Sequence, residues 1–238
     1  MSIQFVLFDL DGTLLPMDQD VFTKRYFKLL AAKLAPRGYD PGALVDAIWA
    51  GTTAMVKNDG SAVNEEAFWK RFSELLGDQV LKDMPIFDEF YRNEFSGARD
   101  ACGFNPLAAS AVESIRKMGL RVALATNPLF PAVATESRIR WAGLQPEDFE
   151  LYTTYENAHY CKPNPDYYRE IISRLGVKAE NCLMVGNDVD EDMIAQTIGM
   201  KVFLLTDCLI NRKNADISGY PGGGFEDLIA HVESIAKV

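Results

Sequence analysis

Residues 3–8 form a short continuous apolar run that ends abruptly in Asp9-Leu10-Asp11-Gly12-Thr13. A run this short, continuously apolar from Phe5 to Phe8 and bounded by turn residues, predicts a strand buried on both faces. From about 17 to 97 the apolar period changes to that of helices. Phe22, Tyr26, Leu29, Leu30 and Leu34 share one face. Leu44, Ile48, Thr52 and Met55 mark a second helix, which Gly51 weakens. Asn64 is placed to cap a third helix with Phe68, Phe72, Leu75 and Leu76 inward and Gly77 at its end. Pro85 opens a fourth through Phe87, Phe90 and Tyr91.

Beyond about residue 100 the pattern alternates. Asn105-Pro106 opens a helix with Leu107, Ala111, Ile115 and Met118 inward and Gly119 after it. A strand at 121–125 leads into Thr126-Asn127-Pro128, and a helix around 131–142 stops at Gly143. A weaker strand is expected over 149–153. Asn164-Pro165 opens a helix carrying Tyr168, Ile171, Ile172 and Leu175, closed by Gly176. A strand at 182–185 runs into Gly186. A short helix around 190–198, a strand at 201–205 and a helix at 225–236 complete the chain, with Tyr220 to Gly224 read as a flexible turn. Helix–strand alternation with short apolar strands predicts an α/β fold, a mostly parallel sheet covered on both faces.

Composition narrows the class. The chain has 238 residues and a formal charge of −10, which disfavours nucleic acid or an anionic membrane surface as partner. Its four cysteines (Cys102, Cys161, Cys182, Cys208) form no CxxC pair, and with two histidines they give no zinc pattern. No secretory leader pattern is visible and no apolar stretch reaches about 20 residues, so a reducing cytoplasm is the expected setting.

The candidate chemistry sits just past strand ends, where open α/β sheets bind ligands. Asp9 and Asp11, two apart on a strand, leave the same face and raise each other's proton affinity. Such a pair calls for a hard cation, and Mg²⁺ is the oxygen-seeking choice. Gly12 frees the backbone to turn, so that its N–H can point at an anion. Thr126 offers a hydroxyl, with the N–H of Asn127 beside it, for a phosphoryl oxygen. Lys162 can balance a nucleophile's charge. The run Gly186-Asn187-Asp188-Val189-Asp190-Glu191-Asp192 either caps a helix with acids or helps hold a cation. His159 and His231 read as surface or packing residues.

Taken in order, the Asp9–Thr13 segment, Thr126, Lys162-Pro163 and Gly186–Asp192 resemble the four signature segments of the haloacid dehalogenase-like (HAD) hydrolase superfamily. The resemblance implies a Rossmannoid core over residues 1–15 and 98–238 and an inserted α-helical cap over 16–97. It implies a Mg²⁺-dependent phosphatase acting on a small phosphorylated metabolite through an aspartyl-phosphate. Asp9 is then the nucleophile and Asp11 the general acid/base. Gly12, Thr126, Asn127 and Lys162 bind the phosphoryl group. Asp9, Asp11 and either Asn187 or Asp188 hold the metal, with Thr13 and Asp192 behind them. Many relatives carry an acid directly after the glycine, where this chain has Asn187, so position favours Asn187 and charge favours Asp188. Three alternatives share the fold: a sugar phosphomutase, a 2-haloacid dehalogenase, and a non-catalytic binding protein. Dehalogenases need no Mg²⁺ and normally lack the second acid, so Asp11 counts against that alternative.

Overall fold

A computed structural model describes residues 3–236; residues 1, 2, 237 and 238 of the expected core lie outside the described part. Five parallel strands form one sheet in the order β2-β1-β3-β4-β5: β1 (Phe5–Phe8), β2 (Arg121–Leu124), β3 (Cys182–Gly186), β4 (Lys201–Leu205) and β5 (Gly222–Gly223). The pleat divides β1 between two cores. Val6 and Phe8 join one and Phe5 and Leu7 the other. The first core is closed by α6 (Pro106–Lys117), α7 (Ala132–Trp141) and α9 (Phe225–Ala236); the second by α8 (Pro165–Leu175) and a 3₁₀ turn at Met193–Ile198.

Between β1 and α6 the chain is helical: α1 (Gln19–Leu34), α2 (Pro41–Val56), α3 (Asn64–Leu76), the single turn α4 (Gln79–Lys82), α5 (Met84–Arg92) and a 3₁₀ segment at Glu94–Ala101. Its entry and exit run side by side. Gly103 N–H donates to the Pro16 carbonyl at 2.7 Å, and Met17 bridges Cys102. Phe22, Phe90 and Phe95 from this insert share one apolar cluster with Phe8, Leu124 and Ile139 of the sheet layer.

Several local expectations are corrected. Asn64 is not an N-cap. Val63 holds that position without a side-chain bond, and Asn64 is buried as the first helical residue. The backbone N–H groups of Asn64 and Glu65 donate instead to the carbonyls of Ala158 and Tyr155, so the insert satisfies its helix start on the core. Leu75, Leu107 and Met118 point outward. In α6 the small residues Ala108 and Ala111, with Val112 and Ile115, form the inner face instead. Residues 149–153 are not a full strand, yet they pair with β2 at the sheet edge: the Glu150 N–H donates to the Val122 carbonyl at 2.9 Å, the Leu124 N–H to the Leu151 carbonyl at 2.8 Å and the Thr153 N–H to the Leu124 carbonyl at 3.1 Å, around one bridge between Tyr152 and Leu124. The expected short helix at 190–198 is the 3₁₀ turn. The expected turn at 220–224 contributes β5, whose Gly222 leaves no room for a side chain: a Cβ there would sit 2.7 Å from the Leu204 carbonyl oxygen.

Candidate active site

At the C-terminal end of the sheet, β1, β2 and β3 deliver Asp9, Thr126 and Asn187 to one crevice. Lys162, fully buried on the loop before α8, donates from Nζ to Asp9 Oδ1 at 2.8 Å and to Asp192 Oδ1 at 2.6 Å. A buried ammonium is costly unless paired, and two carboxylates here satisfy it and raise its proton affinity despite burial. Burial also raises the proton affinity of Asp192, which Lys162 opposes. The two tendencies pull in opposite directions. Contacts of 2.6 and 2.8 Å favour a cationic Lys162 shared between the two acids. Asp192 Oδ2 also accepts from the Asp188 backbone N–H at 2.9 Å, which fixes its plane.

Thr13 stands behind Asp9. Its hydroxyl lies 3.1 Å from Asp9 Oδ2 and 2.9 Å from Asn187 Oδ1 and donates to one at a time. Asn187 Nδ2 donates to the Cys208 carbonyl at 2.7 Å, so the amide oxygen faces Thr13 and Asp9. Asp188 is otherwise engaged. Oδ1 accepts from the backbone N–H groups of Asp190 and Glu191 at 2.9 and 3.0 Å, and Oδ2 pairs with Arg212 at 2.7 Å. Gly12 has the positive φ of 85° that glycine permits, but its N–H is not free for an anion: it donates to the Leu15 carbonyl at 2.8 Å to close the turn. What Gly12 supplies is space, since a Cβ there would lie 2.4 Å from Asn187 Nδ2.

Asn127 ties three segments together. Its Oδ1 accepts the Lys162 backbone N–H at 3.2 Å, and its Nδ2 donates to Glu191 Oε2 at 3.0 Å. Burial pushes Glu191 up to about 7. Thr126 is buried, and its carbonyl accepts from Thr153 and Tyr167 at 2.6 and 2.8 Å, which leaves its side chain on the crevice wall.

Two neighbours of the site were not singled out from the sequence, Arg138 and Arg212, and Glu191 was read only as one acid of the 186–192 run. Arg138, fully buried on α7, pairs with Asp11 Oδ2, donates to the Thr135 hydroxyl at 3.2 Å and lies 4.5 Å from the Phe130 ring centre. Its signal was available: an arginine three and four residues from the inward Thr135 and Ala134 lies on the buried helix face, where a charge needs a partner. Burial raises the proton affinity of Asp11; Arg138 lowers it and the Asp9 charge raises it. The other carboxyl oxygen, Asp11 Oδ1, is buried with no hydrogen-bond partner. An orphaned acid oxygen at a cavity wall is costly unless a ligand completes it.

The donors around Asp9 suit a hard cation. Carboxylate and amide oxygens face the crevice from Asp9 and Asn187, and the orphaned Asp11 Oδ1 lies beside them. Among the described residues no three His, Cys, Asp or Glu side chains gather into a cage. Mg²⁺ is typically held by one or two carboxylates plus water and substrate oxygens, so such a sparse set fits it.

A parallel α/β sheet with paired aspartates past β1, which lies between β2 and β3, and a lysine reaching them from a later loop is an architecture of the Rossmannoid class. The chain belongs to the haloacid dehalogenase-like hydrolase family, whose model matches residues 3–195. It is 24% identical to the phosphatase-named protein YhcW of Bacillus subtilis, over 99% of this chain and 94% of that protein. Among solved structures, a 2-haloacid dehalogenase from Pseudomonas syringae pv. Tomato aligns over 98% of both chains with a TM-score of 0.63 and 20% identity. The HAD-hydrolase YfnB of Bacillus subtilis, solved bound to magnesium, covers 98% of this chain and 99% of its own with a TM-score of 0.56 and 16% identity. Likeness at these identities establishes the shared fold. Among the described residues no helix is long and apolar enough to cross a membrane.

Proposed function

We propose that the protein is a Mg²⁺-dependent phosphatase that works through an aspartyl-phosphate on Asp9. The observation that carries this reading is the second acid. Asp11 stands beside Asp9 with raised proton affinity and an unpartnered oxygen, as a proton donor to a leaving group requires. Phosphatase-named YhcW supports the same reading.

In this mechanism Lys162 and Thr13 hold the Asp9 carboxylate in one orientation. Asp9 attacks phosphorus in line, a bond forms between its oxygen and phosphorus, and the bond to the leaving oxygen breaks. Asp11 gives its proton to the departing alkoxide. It then takes a proton from the water that attacks phosphorus, and the Asp9–phosphorus bond breaks to release phosphate. Arg138 keeps Asp11 aimed at the reaction rather than free to turn. Thr126 and Lys162 bind phosphoryl oxygens. The cation, held by Asp9, Asn187 and the Asp11 backbone carbonyl, would neutralise charge on the transferring group.

The test is phosphate release from a panel of phosphomonoesters, with and without Mg²⁺, beside chloride release from 2-chloropropionate. The expected result is Mg²⁺-dependent phosphate release that falls at least a thousandfold in a folded Asp9→Asn variant, about 4 kcal/mol of barrier. Chloride release that survives chelation would instead make the protein a dehalogenase.

A further inference from the structure

The crevice continues into a chamber that the phosphoryl chemistry does not use. Crevice and chamber together hold about 590 Å³, within the ~300–1,000 Å³ of pockets that enclose a drug-sized molecule. Asp9, Asp11 and Thr126 line one end. The other is walled by rings of the helical insert, among them Tyr26, Phe68, Trp69 and Phe87, with Tyr155 from the core. At the mouth Trp49 is half exposed and packs edge-on against Phe27 at 5.5 Å. We propose, on the phosphatase reading above, that the leaving group this site accepts is uncharged and apolar, an aromatic or long aliphatic alcohol.

Charge placement disfavours the alternatives. A substrate with a second anion on the leaving group, such as a carboxylate or another phosphate, needs a cation where that anion sits. Among the described residues Lys24 and Arg212 are the only lysine or arginine lining the chamber, and both side chains are exposed, where solvent already serves their charge. The guanidinium of Arg212 is already spent on Asp188 and on Gln19 Oε1 at 3.2 Å. The polar groups at the deep end are neutral. The Tyr26 and Tyr91 hydroxyls bond each other at 2.7 Å, and burial raises both, so they remain phenols. Burial likewise raises Tyr155, and Trp69 Nε1, buried beside it, makes no well-formed hydrogen bond. It can serve one oxygen acceptor on an otherwise apolar leaving group.

Each methylene buried in such a chamber is worth about fourfold in affinity. A series of straight-chain alkyl phosphates tests this, because their leaving groups differ in size and hardly in acidity. The expected result is kcat/KM rising at least a hundredfold from ethyl to octyl phosphate, with 2-phosphoglycolate and pyrophosphate no better than ethyl phosphate. Acetyl phosphate, small and reactive, reports the chemistry alone. Hydrolysis of acetyl phosphate with a flat alkyl series, or with phosphoglycolate or pyrophosphate preferred, overturns this inference and leaves the phosphatase reading standing. Release of phosphate from no compound overturns both. Thr52→Trp, which fills the chamber from α2, should lower the octyl-to-ethyl ratio at least tenfold, and Trp49→Ala at the exposed mouth reads the same ratio if Thr52→Trp does not fold. An unchanged ratio in the folded variants would place the leaving group elsewhere and end the proposal.

Discussion

Asn187 and Asp188 show how a single position can be decided by its neighbours. In the sequence the two compete: Asp188 brings charge, and Asn187 brings the place directly after the glycine of β3. The fold gives Asp188 other work. Its carboxylate closes a turn onto two backbone N–H groups and pairs with Arg212, whereas the Asn187 oxygen meets Asp9 through Thr13. We propose on this ground that position outweighs charge and that Asn187 is the ligand. Asn187→Ala should raise the Mg²⁺ concentration for half-activity by tenfold or more. Asp188→Ala should shift it less while costing about 1 kcal/mol of stability through the lost turn bonds. Paired Mg²⁺ titrations and melting curves check this, and the reverse ranking would return the metal to Asp188. The convergence of Asp9, Asp11 and Thr126 was legible because strand ends in an α/β pattern are where side chains meet, and Lys162 only through the order of the four segments. Arg138 and Arg212 were not, because their value lies in partners 127 and 24 residues away.

Among the elements, those with strong local signals were readable. β1, β2, β3 and β4 are apolar runs with abrupt ends, and α6 and α8 begin at Asn-Pro, where the asparagine oxygen caps the helix. The weaker signal at 149–153 matches a segment that hydrogen-bonds along the edge strand β2 but forms only one bridge. Two glycines at β5 hid a strand made by close backbone approach rather than by side chains. Gly51 is the most instructive. It weakens α2 by propensity, yet a Cβ there would lie 2.6 Å from the Phe68 ring, so it is what lets α2 and α3 close together. Phe68 has little freedom to retreat, since it stacks on Phe72 at 5.1 Å and meets Trp69 edge-on at 5.5 Å. Gly51→Ala gains ~1 kcal/mol of helix propensity, against ~1–3 kcal/mol for overpacking. Gly51→Leu gains slightly less helix propensity and intrudes further, so it should lower stability by about 2 kcal/mol or more in urea unfolding. A Gly51→Ala variant stabilised by the full propensity gain would show that the contact yields.

At the scale of the whole molecule, the insert is joined to the sheet layer in two ways with opposite consequences. Its two connections are adjacent, Met17 bridging Cys102 and Gly103 bonding to Pro16, so a few residues can close the gap if the insert is removed. Yet Phe22 and Phe95 pack against Phe130, which belongs to the core, at ring separations of 6.2 Å each. Removing the insert therefore uncovers Phe130 and the nearby Trp141, which Phe95 stacks upon at 5.3 Å. We propose that the insert is the selective cap, since it supplies most of the chamber's rings while the core supplies Asp9, Asp11, Thr126, Asn127 and Lys162. Replacing residues 18–101 with a short Gly/Ser linker should leave acetyl phosphate hydrolysis measurable, abolish any preference for octyl over ethyl phosphate, and increase binding of a hydrophobic dye through the exposed Phe130 face. The three readouts separate cleanly. Loss of all hydrolysis with native-like secondary structure would mean that the insert supplies part of the chemistry. A surviving chain-length preference would mean that the core, rather than the cap, selects the leaving group.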